Sequence, residues 1–242
     1  MFELTISTSL DKQLCISNLY KKLLPEIKNM SGVAIKENSN GRSSVSLAVK
    51  KEYGEFFKAK ILDAIVEIVV NEYKFNFFKD NLIVSSQKII YNSFIKAISI
   101  FDADADREYI KKQIDFSGKI LIDSLYNFKL QELKQRWQKT VDIIELNGII
   151  KNESTILDIL KYLTSMSESV VESADVFISK DKLKIKHYSA AKNYKNDFSG
   201  LSDFLTEMIE LNPAKINIRN KSEDDKELVH MLEKIFYDKI NF

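Results

Sequence analysis

The sequence contains few of the residues that mark enzymes, metalloproteins and disulfide-bonded proteins. Its 242 residues include one cysteine (Cys15), two histidines, two prolines and six glycines. A single cysteine excludes an internal disulfide and a zinc site built from cysteines. The glycine-rich loops of nucleotide-binding proteins, the GxSxG elbow of hydrolases and the HExxH pair of metalloproteases are missing from the sequence. We therefore expect no cofactor, no metal and no catalytic activity.

Arginine is scarce as well, since only Arg42, Arg107, Arg136 and Arg219 stand among 36 basic residues. Arginine is the side chain that reads bases and phosphates with paired hydrogen bonds. The formal net charge is +1, so no overall field draws the protein to a polyanion. Nucleic acid is therefore not the partner that the composition favours.

Long uninterrupted apolar runs are also missing. The most apolar stretch, ILDAIVEIVVNEYKFNFF, contains Asp63, Glu67, Glu72 and Lys74, whereas a membrane span needs about 18 residues with few or no charges. The start, MFELTISTSLDKQL, lacks the basic and apolar segments of a secretory signal. We expect a cytoplasmic protein that does not insert into a membrane.

Hydrophobic periodicity predicts a mixed α/β (α+β) fold in three segments. Residues 1–50 predict a βαββ piece with a hairpin turn at 38–41. Residues 51–170 follow the helical period. Residues 171–242 predict a ββαβα(β) piece, with KINF as an optional last strand. The strands of the two ends form one sheet or two, and the three segments form separate domains or one compact unit.

The sequence predicts which residues lie together on one face of two helices in the central segment. Between residues 55 and 78, one polar stripe facing water runs along an otherwise apolar helix. The stripe consists of Lys60, Asp63, Glu67, Asn71 and Lys74. Residues 118–147 predict one long helix with a narrow apolar seam, which suits a partner helix in the same chain or in a second subunit. The seam consists of Leu130, Leu133, Trp137 and Val141, and we expect a protein partner or self-association there.

The segment FDADADRE is the most metal-like motif. Asp102, Asp104 and Asp106 match the first, third and fifth positions of a calcium-binding loop. Arg107 and Gln113 stand where such a loop needs glycine and glutamate. The simpler interpretation is an acidic loop that caps a helix starting near Arg107.

The two histidines have no catalytic partners nearby in the sequence. His187 ends a lysine-rich strand and His230 lies within a predicted helix. Nothing beside either residue completes a triad, so we expect structural roles for both.

The segment KDKLKIKHYSAAKNYK is locally basic and has tyrosines among its lysines. One interpretation is a surface that binds phosphate or single-stranded nucleic acid. The favoured interpretation is the solvated face of an edge strand, where lysines prevent pairing between sheets. The candidate anion-binding residues are Lys182, Lys184, Lys186, Lys192 and Lys195.

The stretch LYNFKLQELKQRWQKTVDIIELNGIIKNESTILDILKYL resembles the YtxC-like sporulation proteins of endospore-forming Firmicutes. The matching parts are Asn-Phe-Lys-Leu at 127–130, Val-Asp at 141–142, and Glu153 with Leu-Lys-Tyr at 160–162. The ending, from LNPAKINIRN to LVHMLEKIF, is also similar to the family's last strand and helix. Lys129 stands where the family has arginine, and SMSES stands where it has a Gln-Glu-Pro-like turn. The resemblance implies a role in sporulation and supplies no catalytic residues.

The leading hypothesis is a non-catalytic, sporulation-associated protein that acts through protein–protein contacts. One alternative is binding of nucleic acid or phosphate by the basic segment at 180–195. Another is an enzyme whose site assembles from residues distant in the sequence.

Overall fold

The computed structural model describes residues 1–82, 89–101, 103–179, 182–189, 192–198, 200–219 and 226–241. It confirms the mixed α/β class, with strand-containing pieces on both sides of a helical centre. The strands are β1 (Phe2–Ser9), β2 (Val33–Ser39), β3 (Arg42–Val49), β4 (Lys119–Leu121), β5 (Ser173–Ser179), β6 (Lys182–Ser189), β7 (Lys192–Phe198), β8 (Ile216–Arg219) and β9 (Ile240–Asn241). The helices are α1 (Gln13–Asn29), α2 (Gly54–Ile68), α3 (Phe75–Asn81), α4 (Ile89–Ile100), α5 (Asp104–Gln113), α6 (Ile122–Ser124), α7 (Gln131–Leu146), α8 (Glu153–Met166), α9 (Leu201–Leu211) and α10 (Lys226–Ile235).

The chain divides into two compact units. Unit 1 comprises residues 1–74 and 103–138, and unit 2 comprises residues 75–102 and 139–242. Each unit combines residues from two separate parts of the chain. Neither unit therefore coincides with one of the three predicted segments. The described strands form two mixed sheets, one in each unit. Within the described ranges, no helix is both long enough and apolar enough to cross a membrane.

Unit 1 is built on a sheet with the strand order β2-β3-β1-β4. In the antiparallel β1–β3 pair, Leu4 lies opposite Leu47 and Ile6 opposite Val45. Because side chains alternate between the faces of a strand, these four buried residues form one apolar face. Helix α1 covers this face with its own apolar side, which consists of Ile16, Leu19, Leu23 and Ile27.

The hairpin between β2 and β3 turns at Asn40 and Gly41, inside the predicted range. Their φ angles are 50° and 72°. Two successive positive φ angles match the twist of the flanking strands, and Asn-Gly is the pair that adopts them most easily. The turn therefore aligns Ser39 with Arg42 and determines the register of the hairpin.

A π-helical segment, Val69–Lys74, follows α2 and overturns one expectation. A π-helical turn holds more residues than an α-helical turn, so the side chains that follow are rotated around the helix axis. Of the predicted polar stripe, Lys60, Asp63, Glu67 and Asn71 are at least partly exposed. Lys74 is only 2% exposed. The prediction that Lys74 faces water is therefore wrong, because the π-helical segment turns it inward.

The predicted long helix at 118–147 is wrong at its start. Gly118 has a φ angle of 102°, which a helix cannot contain. The next three residues form β4, which pairs parallel with β1 and sets Ile120 beside Ile6. A second π-helical segment, Leu125–Lys129, then leads into α7. Strand β4 has three residues, too few to show the alternation of apolar and polar residues that predicts a strand. Its pairing with β1 is a contact between residues far apart in the sequence.

Unit 2 is built on a sheet with the strand order β7-β6-β5-β8-β9. The predicted β5–β6 hairpin is present, with Val176 opposite Ile185 and both side chains buried. The sequence prediction missed β7, which pairs antiparallel with β6. Its sequence, KNYKNDF, is rich in lysine and asparagine, which are uncommon in strands. The C-terminal piece is therefore βββαβαβ.

The last strands of unit 2 are parallel, with Ile216 beside Ile240, so the final βαβ unit is present. Asn212 ends α9 in the left-handed conformation, with a φ angle of 34°. The buried ammonium of Lys239 donates to the Thr164 carbonyl at 2.9 Å and to Asn212 Oδ1 at 2.7 Å. These bonds connect the ends of three elements around the sheet. The sequence also predicts Ser222 as the cap of the last helix, α10, but Ser222 lies outside the described residues.

Candidate functional site

A groove in unit 1 lies beside β4, at one end of the strand order of the first sheet. Its cavity measures about 290 Å³. The residues after α5, the three residues of β4 and the second π-helical segment form its walls. The apolar lining consists of Ile114, Ile120, Leu121, Leu125 and Phe128. We call this feature the β4 groove.

Phe128 is the aromatic residue among the described residues that line the groove, and 79% of its surface is accessible. It lies two positions after Tyr126, and residues two apart in a helical segment point to nearly opposite sides. The Tyr126 ring packs inward, with its centre 4.7 Å from the ring of Tyr73 and 6.4 Å from the ring of Trp137. Because this contact holds the segment from within, Phe128 is turned outward.

The rim of the groove carries more positive than negative charge. Lys119 and Lys129 are exposed, and the ammonium of Lys129 donates to the Gln113 carbonyl at 3.3 Å. The carboxylate of Asp115 accepts a hydrogen bond from Ser117 Oγ at 2.9 Å. Among the described residues that line the groove there is no histidine or cysteine. The groove is therefore suited to binding an apolar group with a negative charge nearby, and not to acid–base or nucleophilic chemistry.

A buried polar cluster lies in the core of the same unit. Asp106 Oδ2 lies 2.8 Å from Lys74 Nζ and accepts a hydrogen bond from Trp137 Nε1, also at 2.8 Å. The Lys74 ammonium lies 5.9 Å from the centre of the Trp137 ring. Buried charges persist only when they are paired and hydrogen-bonded. The cluster meets this requirement within the chain, which indicates a structural role.

The predicted acidic loop is replaced by this cluster. Helix α5 begins at Asp104, earlier than the predicted start near Arg107, and Asp106 therefore lies inside the helix. Its carboxylate pairs with the Lys74 ammonium in the core. Asp102 lies outside the described residues. In the part of the chain that the structure describes, no group of three or more histidine, cysteine, aspartate or glutamate residues could hold a metal.

Tyr73 and Cys15 are buried groups of unit 1 with altered acidity. Burial raises the pKa of the Tyr73 phenol to about 12, although its hydrogen bond with Thr8 Oγ1 at 2.8 Å acts in the other direction. Burial also raises the pKa of the Cys15 thiol to about 11, and the charge of Glu72 adds to the effect. Both groups stay protonated at neutral pH, so Cys15 is not an activated nucleophile.

The predicted anion-binding lysines lie on the second sheet, and two of their side chains are described. Lys184 Nζ lies 4.0 Å from Asp197, and Lys186 Nζ lies 5.0 Å from the centre of the Phe177 ring. Nearby on the same sheet, Arg219 lies 3.8 Å from Asp175. These carboxylates reduce the positive potential of the face. The side chains of Lys182, Lys192 and Lys195 lie outside the described part of the structure.

The two histidines are not part of the β4 groove. His187 is buried on β6, where burial lowers its pKa. His230 is exposed on α10. The structural roles expected for both histidines stay predictions.

The apolar seam predicted on α7 is buried within the chain. Leu130, Leu133, Trp137 and Val141 are each at most 2% exposed. The sequence left open whether the seam packs within the same chain or against a second subunit, and in the structure it packs within the chain. Self-association through this seam is therefore not supported, because its side chains do not reach the surface.

The sequence did not predict the β4 groove because one of its walls is the unpredicted strand β4. One signal was present, since the Asn-Phe-Lys-Leu segment at 127–130 carries the family resemblance. No protein-family model matches the chain, and neither a curated protein nor a solved structure matches it.

Proposed function

We propose that this protein is non-catalytic and acts by binding another protein through the β4 groove, in the context of sporulation. The observation that carries the binding proposal is the exposed Phe128 beside an apolar groove. Aromatic residues are enriched in the buried centres of protein interfaces and often supply much of the binding energy. Covering an exposed phenylalanine completely contributes about 1.5–3 kcal/mol. Phe128 is therefore the anchor of the proposed interface.

The sporulation context rests on the resemblance to the YtxC-like proteins. Part of the resembling sequence, residues 127–130, is the segment that presents Phe128. This overlap supports a link between the proposed role and the proposed binding surface.

Gene replacement in an endospore former that carries this gene tests the proposal. We expect deletion to lower the yield of heat-resistant spores. The wild-type gene should restore the yield, and the Phe128→Ser variant should not, because it lacks the aromatic anchor. Leu146→Ser is the matched control, since Leu146 is also a strongly exposed apolar residue but lies in unit 2. Normal sporulation after deletion, or full restoration by Phe128→Ser, would contradict the proposal.

Binding of nucleic acid or phosphate through the second sheet is the alternative function. Exposed Lys186 beside Phe177 is the observation that favours it, since ssDNA-binding surfaces combine lysines with aromatic rings. The ion pairs of Lys184 and Arg219 with carboxylates argue against this alternative, because they reduce the positive charge available to a phosphate. A gel-shift titration with single-stranded DNA at low and high salt tests the alternative. Salt-sensitive binding that is lost in Lys186→Glu would establish the alternative.

A further inference from the structure

We infer that the occupant of the β4 groove is an extended segment of a partner protein that adds as a strand to β4 and carries acidic side chains. This inference rests on the proposed function and specifies the chemistry of the partner. It follows from the position of β4 at the edge of its sheet, from the lining of the groove and from the charges at its rim.

The outer edge of β4 has no partner strand among the described residues. Strand β4 is the last strand in the order of the first sheet, and among the described strands only β1 pairs with it. The amide of Thr5 donates to the Gly118 carbonyl at 3.0 Å. Because successive residues of a strand turn their amides and carbonyls to opposite edges, Lys119 presents its amide and carbonyl, and Leu121 its amide, away from β1. An extended peptide can bond to these groups as a strand bonds in a sheet.

The composition of the groove wall favours an extended chain over a helix. Strand β4 forms one wall and carries backbone hydrogen-bonding groups along its outer edge. An extended chain can pair with these groups, whereas the backbone groups of a helix already bond within the helix. Alternate residues of an added strand point to the same face. Every second residue of the partner is therefore expected to be apolar and to enter the groove beside Leu121 and Phe128.

The charge at the rim specifies the remaining residues of the partner. Lys119 and Lys129 are both exposed, and Asp115 is the one carboxylate among the described residues that line the groove. An acidic side chain of the partner gains attraction from both ammonium groups, and a basic side chain is repelled. The expected segment alternates apolar and acidic residues, and it contains no proline where its amides pair with β4.

A selection of random 12-residue peptides displayed on phage, carried out against the full-length protein, tests this inference. We expect enriched peptides with alternating apolar and acidic residues. Fluorescence anisotropy of the best labelled peptide should show binding that weakens about tenfold or more in Phe128→Ser and in the double variant Lys119→Glu/Lys129→Glu. The matched controls Leu146→Ser and Lys21→Glu/Lys139→Glu, which alter exposed residues elsewhere, should bind like the wild type.

Methylation of single peptide amides tests the strand pairing directly. N-methylation should abolish binding at every second position, where the amide bonds to β4, and be tolerated at the positions between. Enrichment of basic or helical peptides, or equal tolerance of N-methylation at all positions, would overturn the inference. If such peptides still required Phe128, the proposed function would stand while the inference failed. A selection without enriched peptides would also overturn the inference, whereas the spore phenotype tests the proposed function separately.

Discussion

Lys74 and Asp106 are charged side chains in the interior of unit 1 that depend on one another. Their charged atoms lie 2.8 Å apart, and each side chain is at most 8% exposed. Removing one partner of a buried pair leaves a charge without compensation, which costs more than the pair contributes to stability. This asymmetry gives the cluster a measurable signature.

We expect Lys74→Met to lower the free energy of unfolding by about 3–5 kcal/mol, because it leaves the Asp106 carboxylate buried without its cation. The double variant Lys74→Met/Asp106→Leu should lose less than the sum of the two single variants. Urea unfolding of all four proteins measures the coupling. Lys60→Met, which breaks the partly exposed pair with Glu26, is the control and should change stability by about 1 kcal/mol or less. Additive single effects would refute the coupling.

Tyr73 makes the stability of unit 1 sensitive to alkaline pH. The phenol has a pKa of about 12 in the folded protein and about 10 when unfolded. Between these values the unfolded state has lost the proton and the folded state keeps it. The unfolded state then binds fewer protons, so the free energy of unfolding falls as pH rises.

We expect this effect to lower stability by about 1.4 kcal/mol between pH 9 and pH 11. Tyr73→Phe should lack this contribution, although it loses about 1 kcal/mol at pH 8 with the hydrogen bond to Thr8. Both proteins should be compared in a Cys15→Ser background, because the Cys15 thiol titrates in the same range. Parallel stability curves from pH 9 to pH 11 would show that the phenol is not the group responsible.

The connection from α1 to β2 has no room for a side chain at Gly32. A methyl group on Gly32 would lie 2.7 Å from Val49 Cγ1, 2.9 Å from the Ala48 carbonyl and 3.0 Å from Ile27 Cγ2. Two of these atoms belong to β3 and one to α1. Gly32 therefore allows α1 and the sheet to approach closely.

We expect Gly32→Ala to lower the free energy of unfolding by about 1–3 kcal/mol, because the helix and strand must move apart. Gly54→Ala is the matched control. Gly54 begins α2 with an ordinary helical φ angle, and the nearest atom to a new methyl group would be 3.4 Å away. Alanine there should be neutral or slightly stabilising. Equal losses in both variants would contradict the packing argument.

Considering the complete chain, each unit has its own sheet and its own buried residues. The sole tryptophan, Trp137, belongs to unit 1. Its fluorescence therefore reports on unit 1, whereas far-ultraviolet circular dichroism reports on the helices and strands of both units.

We expect Lys239→Met to destabilise unit 2 by about 1–3 kcal/mol, because the Thr164 carbonyl and Asn212 Oδ1 lose their buried donor. Urea unfolding followed by circular dichroism should shift to lower urea, and unfolding followed by Trp137 fluorescence should shift less. Tyr237→Ser, at an exposed position of unit 2, is the control and should leave both curves nearly unchanged. An equal shift of both curves in Lys239→Met would show that the units unfold together.

Several elements were predictable because their signals are local. The alternation in FELTIST, the Asn-Gly turn at 40–41 and the period of LSDFLTEMIEL each lie within one element, and each produced the expected strand, turn or helix. The mixed α/β class follows from such patterns. Two strands were missed for the opposite reason, since β4 and β7 have weak patterns of their own and are held by pairing with β1 and β6.

The β4 groove could not be predicted because it combines a missed strand with two regions on either side of it. The burial of Lys74 could not be predicted either. Helical periodicity assumes a fixed rotation about the helix axis from one residue to the next, and a π-helical segment changes that rotation. Local sequence was sufficient for the class of fold and for most helices, because hydrophobic periodicity acts within a few turns. The position of Phe128 beside the edge strand β4 depends on contacts between residues far apart in the chain, and no pattern within a single segment contains that information.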